Sequence, residues 1–375
     1  MTDAHPVPGP RGREPARTVE FVGMIGASYY SEATVPTGEP VDHDYLAEFA
    51  RAYEDGGFDW TLVPYSSGAP ESGQLAGWVL AHTERLKVML AHRTGVVHPV
   101  HAARTFATLD RLSRGRLGIH VLAGSDAEQR REGDYLDKDT RYRRAAEYIR
   151  ILRRLWSGPG PHDHRGEFYR FDGFTAAVRP VGGPLTISVG GSSEAAYRLG
   201  GTEGDVFGLW GEPLAETAEQ IAAVDAHADA VGRARPRIWV SFRPILAPTD
   251  AQAWRRAEDI LGGIRNHHVR NSTTGGPNPR NVGSQRLLAV AARGDRHDRA
   301  LWTAPAAATD AAGASTALVG SPETVAAALL DYVDIGCDIL SVRGYDPLRD
   351  ARDLGREVLP LVRAELARRG TAVPA

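Results

Sequence analysis

The sequence predicts an α/β fold, a (β/α)8 TIM barrel with insertions, on three observations. Eight short apolar runs alternate with helix-like runs along the chain. The fourth, Leu117–Leu122, opens into a Gly-Ser-Asp turn before a new helix, which is how a parallel barrel builds its reactive face. No Gly-x-Gly-x-x-Gly follows the first strand, so the rival doubly wound sheet lacks its usual phosphate loop.

The first strand is Phe21–Gly26. Residues 42–56 follow with helical periodicity at Tyr45, Leu46, Phe49 and Tyr53, and Gly56-Gly57 ends them. Trp60–Val63 is the second strand, stopped by Pro64, and a short helix over 73–82 follows. Leu86–Ala91 is the third strand. Pro99–Leu112 is a helix with proline in its first turn, where the missing N–H is not needed. After the fourth strand comes a long amphipathic helix over 141–155. Leu185–Val189, Asp205–Trp210, Arg237–Leu246 and Asp338–Val342 are strands five to eight, with further helices over 213–231, 322–335 and 350–367. Two stretches exceed the repeat. Residues 157–184 contain HRGEFYRFDGF, a hairpin-like excursion. Residues 255–315 have a polar, Gly/Pro-rich centre and read either as a functional lid or as disorder.

With 375 residues the chain can bury a large core, and one barrel with insertions uses the whole length. We therefore expect a disordered tail over 1–17, rich in Pro and Arg, and a single domain over 18–370 carrying a lid-like insertion at about 255–315. A net charge of −3 argues against nucleic acid or a membrane surface as a bulk partner. Cys337 is the only cysteine, so no intrachain disulfide is available. No apolar run approaches the ~20 residues of a membrane helix, and a cytoplasmic location is the default expectation. The histidines form no recognised metal spacing, and no Gly-x-Ser-x-Gly elbow is present.

The second informative site is Val189-Gly190-Gly191-Ser192-Ser193-Glu194, where a strand runs into a helix. Glycine lets a ligand approach the backbone, and the first N–H groups of a helix lack partners, an arrangement suited to phosphate. A serine-capped helix with no ligand is the plainer alternative.

Several stretches, in order, resemble the bacterial luciferase-like flavin-dependent monooxygenases, most nearly their alkanesulfonate branch. They are PVDHDYLAEFARAYEDGGFD, LKVMLAHRTGVVHPVHAARTFATLDRLSRGR, ISVGGSSEAA, FGLWGEP, and TALVGSPETVAA before CDILSVRGY. The resemblance implies a luciferase-like barrel that binds FMN as FMNH2. Gly191, Ser192 and Ser193 would receive the phosphate with Arg141 and Tyr142, whose guanidinium and hydroxyl suit it. His120, Ala123, Gly124 and Ser125 would lie beside the flavin, with His120 standing where the family pattern has Asn. The resemblance places Trp210 near the ring, where core packing is the alternative, and Tyr345 near the substrate. Arg93 matches a third-strand arginine, with a rim salt bridge as its other reading. A separate NAD(P)H-dependent flavin reductase would supply FMNH2, and O2 would form a C4a-peroxyflavin that oxygenates a small organic substrate. Homodimers or homotetramers are the implied assemblies. An F420-dependent hydride transfer on the same fold, and a flavin-binding protein without turnover, are the alternatives.

The chain departs from the alkanesulfonate pattern in three places. Ala69 stands near the expected cysteine. Ser241-Phe242-Arg243 replaces Arg-x-His. The stretch APAAATDAAGAS lacks the arginine expected before TALVG. Arg243 is the candidate to hold an oxyanion in bidentate fashion, and it cannot serve as a base at neutral pH. Tyr345 is the candidate for protonation control.

Overall fold

A computed structural model describes residues 18–34, 38–124, 126–271, 281–312 and 315–370. The N-terminal tail and Ser125 therefore lie outside the described residues.

The eight expected strands close into one parallel barrel: β1 (Glu20–Met24), β2 (Trp60–Val63), β3 (Lys87–Arg93), β4 (Leu117–Leu122), β5 (Ile187–Gly190), β6 (Val206–Trp210), β7 (Arg237–Leu246) and β8 (Ile339–Val342). Each pairs with its neighbour in sequence. The ring is completed where β8 pairs with β1, Leu340 opposite Phe21. Alternation along the strands makes two cores. Phe21, Val88, Ile119, Ile187, Phe207, Val240 and Leu340 face outward onto the helices. Val22, Trp60, Met89, Val206, Trp239 and Ile339 form a separate plug inside the barrel. Residues two positions further along each strand stand above that plug, at the carboxyl ends of the strands.

The surrounding helices are α1 (His43–Asp55), α2 (Ser72–Ala81), α3 (Pro99–Leu112), α4 (Lys138–Ser157), α5 (Glu194–Glu203), α6 (Leu214–Asp229), α7 (Asp250–Asn271), α8 (Val282–Ala291), α9 (Pro322–Asp334) and α10 (Pro347–Asp353), the last running through a π turn into Leu359–Arg368. Side chains satisfy several of their first N–H groups: Asp42 accepts from Tyr45 N at 3.0 Å, Asp137 from Thr140 N at 3.0 Å, and Asn281 from Ser284 N at 2.7 Å. The excursion over 157–184 holds an antiparallel hairpin, His162–Arg165 with Arg170–Phe174.

The expected lid-like insertion, about 255–315, falls between β7 and β8, and its described part includes most of α7 and all of α8. Ala317–Gly320 adds a strand outside the barrel count. That strand pairs in parallel with Arg243–Leu246, so β7 serves the barrel with its first half and the insertion with its second. This double use accounts for the ten-residue length of β7. Residues 272–280, the polar centre of the expected lid, lie outside the described residues. No helix among the described residues is long and apolar enough to cross a membrane.

Candidate active site

A cavity of about 800 Å3 opens above the barrel plug, within the ~300–1,000 Å3 usual for small-molecule sites. Its wall follows from strand alternation. Met24, Leu62, His120, Gly190, Gly208, Trp210, Ser241, Arg243, Ser341 and Arg343 are the inward positions at the ends of the strands.

His120 and Trp239 meet at the floor, ring centroids 5.5 Å apart. His120 Nδ1 lies 2.9 Å from Ser188 Oγ on the adjoining strand, where the two residues are paired in register. Burial lowers the imidazole pKa to about 4, so it is neutral at physiological pH. A histidine in place of Asn thus still presents an uncharged hydrogen-bonding group. Gly190 leaves room for it, since a Cβ there would lie 3.2 Å from His120 Cε1.

The β5–α5 turn is built from glycine and serine. Gly191 holds φ +137, a conformation that side chains rarely adopt. Ser193 occupies the N-cap position of α5 yet makes no capping hydrogen bond, unlike Asp42, Asp137 and Asn281. Its Oγ is buried without a partner, although such atoms are normally paired. Tyr142, on α4, leans over the turn. Burial raises its hydroxyl pKa, and nearby Ser193 opposes that shift without forming a hydrogen bond of good geometry. Ser192 lies beside α8, its Oγ 3.4 Å from where a Cβ on Gly283 would stand.

Arg141, expected beside the phosphate, is held by the loop that follows β4. Its side chain is buried. It donates to the Ala123 carbonyl (3.0 Å), the Gly124 carbonyl (3.2 Å), the Leu136 carbonyl (2.6 Å) and Asp126 Oδ1 (2.7 Å). With those partners it holds the β4 loop closed, and Tyr142 is the member of the pair that faces the turn. Gln129 also donates to the Ala123 carbonyl, at 2.7 Å. Ala123 and Gly124 are thus backbone anchors for this loop. Gly124 has φ +71, which suits its tight path.

The opposite wall carries the charges. Arg243 Nη1 donates to Glu32 Oε2 at 2.8 Å, and its Nη2 donates to Oε1. Arg343 Nη2 donates to the same Oε1 at 2.8 Å. Burial would raise the Glu32 carboxyl, but Arg243 and Arg343 hold it well below the usual carboxylate range. Tyr345 lies beneath Arg243, its ring centroid 5.4 Å from the guanidinium carbon. It packs with the insertion core and is absent from the cavity wall; burial raises its hydroxyl pKa. Trp210 does line the cavity. It packs against α8, where a Cβ on Gly283 would come within 2.9 Å of its ring.

Arg93 makes the rim salt bridge. It pairs with Glu128 at 3.0 Å and with Glu132, and its guanidinium carbon lies 4.6 Å from the Tyr65 ring centroid. Sequence reasoning missed Arg343 and Glu32. A signal for Arg343 was present: Ser241-Phe242-Arg243 within β7 is matched by Ser341-Val342-Arg343 where β8 ends. Ser241 and Ser341 pair in register, so the arginines two residues on share one side of the barrel.

A closed (β/α)8 barrel with a cavity above its plug, at the carboxyl ends of the strands, is the architecture of a barrel enzyme. The family model for luciferase-like monooxygenases matches residues 24–338, and the chain belongs to that family of enzymes. Solved structures agree in fold. A riboflavin lyase with modified FMN and riboflavin is 22% identical over 95% of this chain and 93% of that one, with a TM-score of 0.79. EDTA monooxygenase from Chelativorans sp. BNC1 is 18% identical, over 95% of each chain, at 0.75. The coenzyme F420-dependent tetrahydromethanopterin reductase from Methanopyrus kandleri is 14% identical, over 92% of this chain and 99% of that one, at 0.67.

Proposed function

We propose that this chain is the oxygenating component of a two-component flavin monooxygenase. It would take reduced FMN from a separate NAD(P)H-dependent reductase and oxygenate a small organic substrate, with alkanesulfonates and related organosulfur compounds as the first candidates. The observation that carries this reading is the unpartnered Ser193 Oγ at the Gly190-Gly191 turn, below the Tyr142 hydroxyl. A phosphate seated there would accept from the serine, the tyrosine and the first N–H groups of α5. Ser192 and Gly191 would complete the cradle, and Arg141 would act by holding the loop that Tyr142 springs from.

Reduced FMN, when bound, supplies the electrons for oxygen activation. The protein's part is to bind, orient and keep dry. His120, neutral and fixed by Ser188, would present its ring to the cofactor from the cavity floor. Trp210 and the apolar residues Met24, Leu62 and Phe242 restrict water around it. Helix α8, packed on Trp210, ties the insertion to the cavity wall.

Anaerobic titration of the protein with reduced FMN and, separately, with coenzyme F420, followed by oxygen uptake with octanesulfonate, tests the reading. Binding of reduced FMN with substrate-dependent oxygen uptake is expected. Tight F420 binding without oxygen consumption would replace it with hydride transfer. FMN binding with no turnover across a panel of organosulfur compounds, or with peroxide as the sole product, would replace it with a flavin-binding protein.

A further inference from the structure

We infer that the barrel plug encloses a binding site for dioxygen, and that Trp239 parts this site from the cavity above it. The inference rests on the reading of the upper cavity as the oxygenation site, and it names the route by which the gaseous substrate reaches it.

Three observations carry it. The first is space. A second, smaller cavity of about 260 Å3 lies at the amino ends of the strands, where Glu20, Lys87 and Arg237 begin β1, β3 and β7. Every member of the plug, Val22, Trp60, Met89, Val206, Trp239 and Ile339, borders it, so the plug is a shell rather than a solid layer.

The second is chemistry. The charges at the mouth of this lower cavity answer one another. Glu20 pairs with Arg237 and with Lys87 at 3.7 Å, and it accepts from Trp60 Nε1 at 3.1 Å. Asp205 pairs with Arg153 at 2.8 Å. Behind that ring the wall is apolar, and the plug side chains offer a single N–H without a partner, Trp239 Nε1. A buried water makes about two to four hydrogen bonds, whereas cavities with apolar walls stay dry and take up apolar guests such as xenon. The lower cavity therefore suits a small apolar molecule better than water or an ion.

The third is place. Among the described residues, Trp239 alone borders both cavities. The positions beside it and beside its neighbour His120 are small: Gly208 pairs in register with Trp239, and Ala91 and Ser188 pair with His120. Ser188 fixes the histidine ring by a hydrogen bond, but the indole is held by packing alone. A modest swing of Trp239 joins the two spaces. An oxygenation site must exclude water once its ligands are in place. A path through the floor delivers O2 while the upper mouth stays closed.

The test uses xenon and oxygen itself on the full-length protein. Crystals under xenon pressure should hold xenon among Val22, Val206 and Ile339, and Val206→Phe, which fills that space, should hold none. Stopped-flow mixing of the protein carrying reduced FMN with buffers of rising oxygen content reads the route. The slope of the oxidation rate against oxygen concentration should fall several-fold in Val206→Phe, while any later step independent of oxygen keeps its rate. Ile339→Phe, which blocks the same space from another strand, should act alike. Trp239→Phe, with a smaller ring in the partition, should keep the xenon site and steepen the slope. Parental affinity for reduced FMN and a parental melting temperature show that each variant is folded. A parent with no xenon in the lower cavity would overturn the site. A blocked cavity with an unchanged slope would overturn the route. If the parent binds no reduced FMN, the oxygenation reading falls by itself, and xenon occupancy still decides whether the plug holds an apolar gas.

Discussion

The Tyr142 hydroxyl stands directly against the turn at Gly191: a Cβ built on Gly191 would lie 3.3 Å from it and 2.9 Å from Ala196 Cβ. Two helices, α4 and α5, therefore converge on a residue that has no side chain to offer. Gly191→Ala should strain the backbone at φ +137 and crowd both neighbours. We expect a loss of about 1–3 kcal/mol in stability, typical of backbone strain, together with a reduced-FMN affinity at least roughly tenfold lower. Thermal unfolding and anaerobic flavin titration measure the two effects. A stable variant with parental affinity would remove this turn from the phosphate site.

Ser193→Ala separates binding from stability. The Oγ makes no hydrogen bond within the protein, so its loss should leave the melting temperature unchanged or slightly higher. If a phosphate is its natural partner, reduced-FMN affinity should fall by about 1.5–3 kcal/mol, the range for a hydrogen bond to a charged group. Riboflavin, which lacks the phosphate, should bind parent and variant alike. A variant that loses stability instead would mean that Ser193 caps α5 after all.

The barrel was legible in the sequence because each strand is a local apolar run and each helix repeats its own period. Pro99–Leu112 and Leu117–Leu122 have the bounds their residues predict. The glycine-serine turn was legible for the same reason, since Gly191 and Ser193 are neighbours in the chain. What was not legible depends on distant pairing. Ala317–Gly320 is a strand because it extends β7 beyond the barrel, and nothing in its own short sequence says so. Glu32 lies in an irregular turn and meets arginines 211 and 311 residues away. The resemblance put Arg141 with Tyr142 at the phosphate, but the direction of its side chain is set by the carbonyls of a loop 17 and 18 residues earlier.

Two buried histidines should make stability fall in mildly acidic solution. Burial lowers the pKa of both His92 and His120 to about 4, against 6.5 for the unperturbed ring. Above the unfolded value neither state binds the proton, and no penalty arises. Between 6.5 and about 4 the unfolded chain takes up protons that the folded chain refuses, so stability declines as pH falls through that window and levels off below it. Each ring contributes at most about 3 kcal/mol. Imidazole NMR titration of the folded protein checks the cause directly: neither resonance should titrate near 6.5. His120→Asn should flatten part of the slope while leaving that of His92, which faces Phe106 and Tyr148 outside the cavity.

The insertion is tied to the barrel by an ion pair whose carboxylate is buried, and the helix that carries its arginine also packs on Trp210. Glu212, just past β6, has a side chain only 1% exposed and receives Arg286 of α8 in a fork, with Nε 2.9 Å from Oε1 and Nη2 2.8 Å from Oε2. Burial still raises the Glu212 pKa against the pull of Arg286, so the carboxylate depends on its partner to stay charged. Arg286→Met would strand it, at a cost of about 3–5 kcal/mol. Replacing both residues by leucine should recover most of that loss, because the penalty comes from the unpaired charge rather than from the missing attraction. The single variant should also change the Trp210 environment, since α8 carries Gly283 against that ring. Thermal unfolding of the two variants, with a Trp210→Phe control to assign the fluorescence change, checks both parts. A single variant as stable as the parent would mean that α8 is held by its other contacts, the packing on Trp210, Ala306 and Ala311 and the Ser284 Oγ donation to the Ala311 carbonyl at 2.6 Å.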